Sequence, residues 1–175
     1  METTKNPLPQ EANLFLKKLR EYLNLPFYFF GSIQRNDYFP KYSDIDIDVF
    51  TENMEQTLSQ LKTFVVIPDK KKIKKIIWKL KNGVMAYGYK YMYREPNFSA
   101  EFSFYDKTFQ KDILQEHRQK INLPFYVVGL LICIKILYYH FKLLDKKMFK
   151  RVKQLLMSSW IGLPEDLFYV LPLNI

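Results

Sequence analysis

Three aspartates at alternate positions, Asp44, Asp46 and Asp48 in the stretch SDIDIDVF, are the side chains of this sequence best arranged for chemistry. In an extended strand, residues i and i+2 project side by side from one face. A neighbouring pair of these carboxylates can therefore bridge hard, oxygen-seeking cations such as magnesium, which keep some waters and take their remaining ligands from substrate phosphate. Like charges along one face repel each other, and a cation relieves that repulsion. The competing role is a solvated sheet edge whose charges discourage aggregation. Spacing alone is satisfied by Asp44 with Asp46 and by Asp46 with Asp48. Upstream, with eleven residues between Ser32 and Asp44, Gly31-Ser32 closes the aromatic run FYFF. A glycine there lets the backbone approach a phosphate, while the Ser32 hydroxyl and the turn amides form an anion cradle. In a two-ion site the ions lie about 3.5–4 Å apart, and a third acid on a neighbouring strand completes it. Glu101 in AEFSFYD is the best placed candidate, with Asp106 as the substitute if that strand slides.

The elements that must hold these residues are legible as patterns. Residues 11–23 carry Leu14, Phe15, Leu19, Tyr22 and Leu23 at helical spacing, stopped by Asn24 and Pro26. FYFF reads as a short strand, and Ile45, Ile47 and Val49 alternate with the aspartates as a second. Residues 52–61 read as a helix, with FVVIP after it as a strand or its approach. Seven lysines fall within 70–81, and Asn82-Gly83 then turns the chain into VMAYGYKYMYR, a pair of strands. The lysine run suits either a solvated face or, with Trp78 and nearby tyrosines, contact with nucleic acid. The tyrosines at 87, 89, 91 and 93 read as sheet packing. In FSAEFSFYD the apolar Phe98, Ala100, Phe102 and Phe104 alternate with a polar face. After Lys107 the pattern becomes helical.

The composition sets the class. A chain of 175 residues with 48% hydrophobic and 17% aromatic residues folds around one core. Its net charge of +9 favours a polyanionic partner such as nucleic acid or a nucleotide phosphate. One cysteine, Cys133, excludes a disulfide framework and a cysteine-rich zinc site, and points to a reducing compartment. His117 and His140 have no partners at ligand spacing and read as ordinary core or surface histidines. The polar start of the chain lacks the apolar core of a signal peptide, so a cytoplasmic location is expected. The apolar run 123–139 is short for a membrane span and holds Lys135, so it is expected as a buried helix with no membrane contact.

The stretch GSIQRNDYFPKYSDIDIDVF resembles the signature of nucleotidyltransferases of the DNA polymerase beta superfamily: a glycine-serine, a loop and an Asp-x-Asp strand. The resemblance covers 27–106 and is similar to the minimal and antibiotic-modifying branches. It implies an α+β nucleotidyltransferase fold, a short mixed sheet flanked by helices. A catalytic core at 1–107 would be followed by a helical subdomain at 108–175 packed on it. By the same resemblance Gly31, Ser32 and Arg35 would bind the nucleotide, although Arg35-Asn36 departs from the usual Arg-Gly. The Ser43-Asp44 pairing of the family form selects Asp44 with Asp46 as ligands of two Mg2+ ions, with Mn2+ able to replace them. Glu101 would ligate one ion and help deprotonate the attacking hydroxyl. The implied reaction moves an NMP from a nucleoside triphosphate such as ATP to an acceptor hydroxyl, on RNA such as tRNA or on DNA. The alternative is a catalytically silent fold of the same family that binds nucleic acid or a protein partner.

Overall fold

The strand that carries the aspartates lies inside a mixed sheet, and the helices before and after it cover the sheet's two faces. The computed structural model describes residues 1–65, 73–161 and 168–171. In chain order the elements are α1 (Gln10–Leu23), β1 (Phe27–Phe30), β2 (Ile45–Thr51), α2 (Met54–Val65), β3 (Ile73–Lys79), β4 (Met85–Arg94), β5 (Ser99–Asp106), α3 (Gln110–Ile121), α4 (Phe125–Tyr139), α5 (Lys146–Ile161) and β6 (Phe168–Leu171). A 3-10 turn, Gly31–Gln34, leaves β1. The sheet order is β1-β2-β5-β4-β3-β6. Only β2 and β5 run parallel; the other neighbours are antiparallel.

Strand alternation decides which layer each residue joins. Ile45, Ile47 and Val49 of β2 and Ala100, Phe102 and Phe104 of β5 sit opposite one another in register and are fully buried against α1 and α2. Truncating a side chain such as Phe102 to alanine there would cost about 3–5 kcal/mol. The other face of the same strands turns Phe50 and Tyr105 towards Ile113 of α3, in a second core that includes Ile76, Trp78 and Ala86. Asp46, Asp48 and Glu101 belong to this second face. A third cluster, Val127, Leu131, Ile134 and Phe149, joins α4 to α5.

The fold is α+β, as expected, and four local expectations change. In α1 the buried stripe is Ala12, Leu16, Leu19 and Leu23, whereas Leu14 and Tyr22 are exposed, because the helix leans on its alanine side. Phe64 and Val65 of the FVVIP segment continue α2 as a helix, and the rest of that segment lies outside the described residues. α4 is buried along one face only: Phe125 is 87% exposed and Leu130 48%. No single helix among the described residues is long and apolar enough to cross a membrane, and the segments Lys107–Ile121 and Phe125–Tyr139 meet at 79°. The part after Lys107 is not wholly helical either, since β6 pairs with 75–78 of β3 and extends the sheet. The lysine run enters β3, where Lys74, Lys75 and Lys79 are exposed; Lys70, Lys71 and Lys72 lie outside the described residues. Of the tyrosine ladder, Tyr89, Tyr91 and Tyr93 pack on the first core, Tyr93 stacked on Phe15 at 4.0 Å, whereas Tyr87 is 49% exposed.

Candidate active site

Gly31 opens the 3-10 turn at φ +70, a conformation that side chains resist. A Cβ on it would come within 2.0 Å of Asp46 Oδ2. The turn that ends β1 thus lies directly against an aspartate of β2, and only glycine allows that approach. Ser32 follows, 8% exposed, and its carbonyl accepts a hydrogen bond from Arg35 N, which closes the turn.

Asp46 and Glu101 are partners in the parallel register of β2 and β5, on the same face. Asp44 stands just before β2, exposed, and accepts a hydrogen bond from Ser99 Oγ at the start of β5. Lys90 of β4 donates to Glu101 Oε1 at 2.6 Å. Burial pushes the Asp46 carboxyl up to about 7, with the negative charges of Glu101 and Asp44 adding to the shift and Lys153 and Lys90 opposing it. Three carboxylates are hard oxygen donors of the type Mg2+ and Mn2+ take, and the strained protonation of Asp46 is what a cation would relieve. The fit is one of donor type and crowding. Asp44 is turned to Ser99 and Glu101 to Lys90, and among the described residues no three His, Cys, Asp or Glu side chains are already gathered as a coordination cluster.

The other residues singled out by pattern fall elsewhere. Asp48 is fully buried, its Oδ2 2.7 Å from His117 Nε2 of α3. His117 in turn stacks on Phe30 at 3.8 Å. Asp106 pairs with Thr51 at the opposite end of the strands, five residues beyond Glu101, which is about 16 Å along a strand. Its Oδ1 caps the next turn by accepting from Thr108 N and Oγ1. Arg35, expected at the nucleotide, is 4% exposed and turned inward. Its Nε and Nη2 donate to the two oxygens of Asp37 at 2.7 and 3.1 Å, and Nη1 donates to the carbonyl of Lys120 at 3.0 Å. The reason is electrostatic: Asp37 is fully buried and needs its cation. His140 lies at the rim, with its ring 6.2 Å from that of Tyr42.

Two basic groups of the helical part take partners that spacing alone does not specify. Lys135 of α4, 2% exposed, donates to Asp37 O at 2.5 Å, to Asp37 Oδ2 at 2.9 Å and to Ser43 Oγ at 3.3 Å. It ties α4 to the loop that delivers Asp44. Burial raises the Asp37 carboxyl, but Arg35 and Lys135 outweigh this and hold it below its usual value. Burial also lowers the Lys135 ammonium, against the pull of Asp37. The second group is a comb on α5: Lys146, Lys150 and Lys153 face Ser32, Asp44 and Asp46 across a cleft of about 320 Å³. Their spacing of four and three residues puts all three on one helical face, a signal present in the sequence.

A cleft with acids on one wall, lysines on the other and a glycine-serine turn at its floor can hold a polyphosphate together with cations. The family described as nucleotidyltransferase domain matches residues 12–121. No curated protein matches the chain. Among solved structures the chain is similar to the conserved protein GrpB from Enterococcus faecalis, at 14% identity and a TM-score of 0.49, over 91% of this chain and 98% of that one.

Proposed function

As this chain belongs to the nucleotidyltransferase domain family, we propose that it moves an NMP from a nucleoside triphosphate to an acceptor hydroxyl at the cleft of Asp44, Asp46 and Glu101. The observation that carries the reading is the contact between the Gly31 turn and Asp46, because it sets a phosphate cradle against an acid that shares its strand position with Glu101. Two Mg2+ ions, or Mn2+ in their place, would be held by Asp44, Asp46 and Glu101; bound there, such ions neutralise phosphate charge and acidify a hydroxyl. Gly31 and Ser32 offer an amide and a hydroxyl to the triphosphate. Lys146, Lys150 and Lys153 balance its charge and that of the departing pyrophosphate. Glu101 takes the acceptor's proton as its oxygen bonds to the α-phosphorus and the bond to the β-phosphate oxygen breaks. Lys90, bonded to Glu101 Oε1 at 2.6 Å, fixes the direction of that carboxylate. Arg35 serves the reaction only by fixing the loop. The net charge of +9 favours a nucleic-acid acceptor, RNA such as tRNA or DNA. The exposed Cys133 suits a reducing cytoplasm.

Incubation with each α-labelled ribonucleotide and Mg2+, in turn with RNA, a DNA primer and cell lysate, tests the reading, since label follows the acceptor. Transfer that disappears in the Asp44→Asn, Asp46→Asn double variant is the expected result; transfer that survives it contradicts the assignment. A second reading has one observation in its favour. Ser99 and Lys90 already satisfy Asp44 and Glu101 without a cation, as they would in a silent binding module. That reading predicts no magnesium-dependent nucleotide binding at all.

A further inference from the structure

Two further clefts, of about 470 and 370 Å³, share Arg118 and Asn122; the second reaches Gln34 of the 3-10 turn, and neither shares a lining residue with the acid-lined cleft. Together they form one groove, marked along its length by Lys5, Gln34, Arg118, Asn122, Lys81 and Trp160. Its chemistry is one-sided. Three cationic side chains line it and, among the described residues, no carboxylate side chain does; Glu116, which accepts from Lys81 N at 2.6 Å, is buried. Among the described residues, neither the Lys5 ammonium nor the Arg118 guanidinium meets an acid, and Lys81 Nζ donates to the neutral Gln119 Oε1 at 2.6 Å. The floor is fixed: Gln34 Nε2 donates to Thr3 O at 2.6 Å while its Oε1 accepts from Lys5 N at 3.0 Å. At one end Trp160 is 47% exposed, held edge-on by Tyr126 at 5.0 Å.

Unpaired cations in a row call for a polyanion, because each gains from a charge the protein does not supply. An exposed indole at the end of the row calls for a polyanion that also carries flat rings. An acidic peptide would satisfy the lysines and the arginine but leave Trp160 without a partner. We propose that this groove binds single-stranded nucleic acid, with phosphates on Lys5, Arg118 and Lys81 and a base stacked on Trp160. The inference goes beyond the transfer reaction: the groove lies outside the acid-lined cleft and binds whether or not transfer occurs.

The test is the anisotropy of a fluorescein-labelled single-stranded oligouridylate titrated with the full chain at several salt concentrations, alongside intrinsic tryptophan fluorescence. Trp78 is 4% exposed, so quenching on binding reports Trp160. Arg118→Glu with Lys81→Glu should weaken binding about tenfold or more and flatten the slope of log affinity against log salt by about 1.4, two contacts at ~0.7 each. Trp160→Leu should remove the quench and weaken binding about tenfold. The Asp44→Asn, Asp46→Asn protein should bind as the native chain does. Lys81, Arg118 and Trp160 are exposed, and circular dichroism confirms that each variant folds. The proposal is overturned if the groove variants bind unchanged, if Lys75→Glu with Lys79→Glu on β3 abolishes binding instead, or if polyglutamate displaces the oligonucleotide as well as unlabelled oligouridylate does.

Discussion

Asp46 and Glu101 occupy the same rung of the one parallel strand pair in the sheet, 55 residues apart in sequence, with the Gly31 turn pressed against the first of them. Two carboxylates side by side at the edge of a buried face repel each other, and Lys90 on Glu101 offsets this only in part, since the Asp46 carboxyl stays raised. The predictions below follow from that arrangement.

The metal-free protein should be held back by Asp46. Its carboxyl is raised to about 7 by burial and then by Glu101, well above the usual carboxylate range. The folded state therefore binds a proton that the unfolded chain has lost between about pH 4 and 7, and stability falls as pH rises through that window. Asp46→Asn should raise the melting temperature in EDTA at pH 8 by several degrees, about 1–3 kcal/mol, and flatten the pH dependence. Thermal melts across pH 4–8 check this, and a destabilised Asn variant would count against it.

The buried pair of Asp48 and His117 should be structural. His117→Ala leaves a buried carboxylate without its partner and should cost about 3–5 kcal/mol in urea unfolding. Asp48→Asn, a smaller change, should leave the Mg2+ dependence of transfer unaltered. A shifted metal requirement would restore Asp48 to the site.

Gly31→Ala meets both an unfavourable φ and the Asp46 carboxylate, whereas Gly83→Ala, at φ +86, faces open space. Both should lose about 1–2 kcal/mol of stability from the backbone. Gly31→Ala alone should also displace Asp46 and reduce transfer by about a hundredfold, the cost of a misplacement near 1 Å. Equal activities in the two variants would remove the close approach from the account.

The comb on α5 should act on the triphosphate. Lys150→Ala and Lys153→Ala should each raise the KM for nucleoside triphosphate about tenfold, the size of one charge-assisted contact, with a weaker effect at high salt. Steady-state kinetics with varied nucleotide and fixed acceptor measure it.

How far the sequence carries can be judged from the aspartates themselves. Their alternation with Ile45, Ile47 and Val49 gave the strand and its two faces, because period-two burial is local. Which aspartate meets which partner is not local. Asp48 repeats the spacing of Asp46, yet α3 sets His117 against Asp48, whereas the Gly31 turn lies against Asp46. The pairing of Asp46 with Glu101, and the distance of Asp106 from both, depend on a parallel register set by the whole sheet. Arg35 is expected at the nucleotide by resemblance alone; its partner Asp37 stands two residues away in an undistinguished loop, and burial of that loop decides the pairing. Lys135 looked like an intruder in an apolar helix; it is the anchor between α4 and the same loop. The outward face of α4 could not be told from its inward face, since the helix is apolar all round and only packing against α5 chooses a side.

The most direct test of the central assignment is Mn2+ binding followed by electron paramagnetic resonance, with and without a non-hydrolysable nucleoside triphosphate. The account predicts nucleotide-dependent binding of two Mn2+ ions, lost in Asp44→Asn with Asp46→Asn and kept in Asp48→Asn. Binding that is absent in the native protein, or unchanged in the double variant, would contradict it.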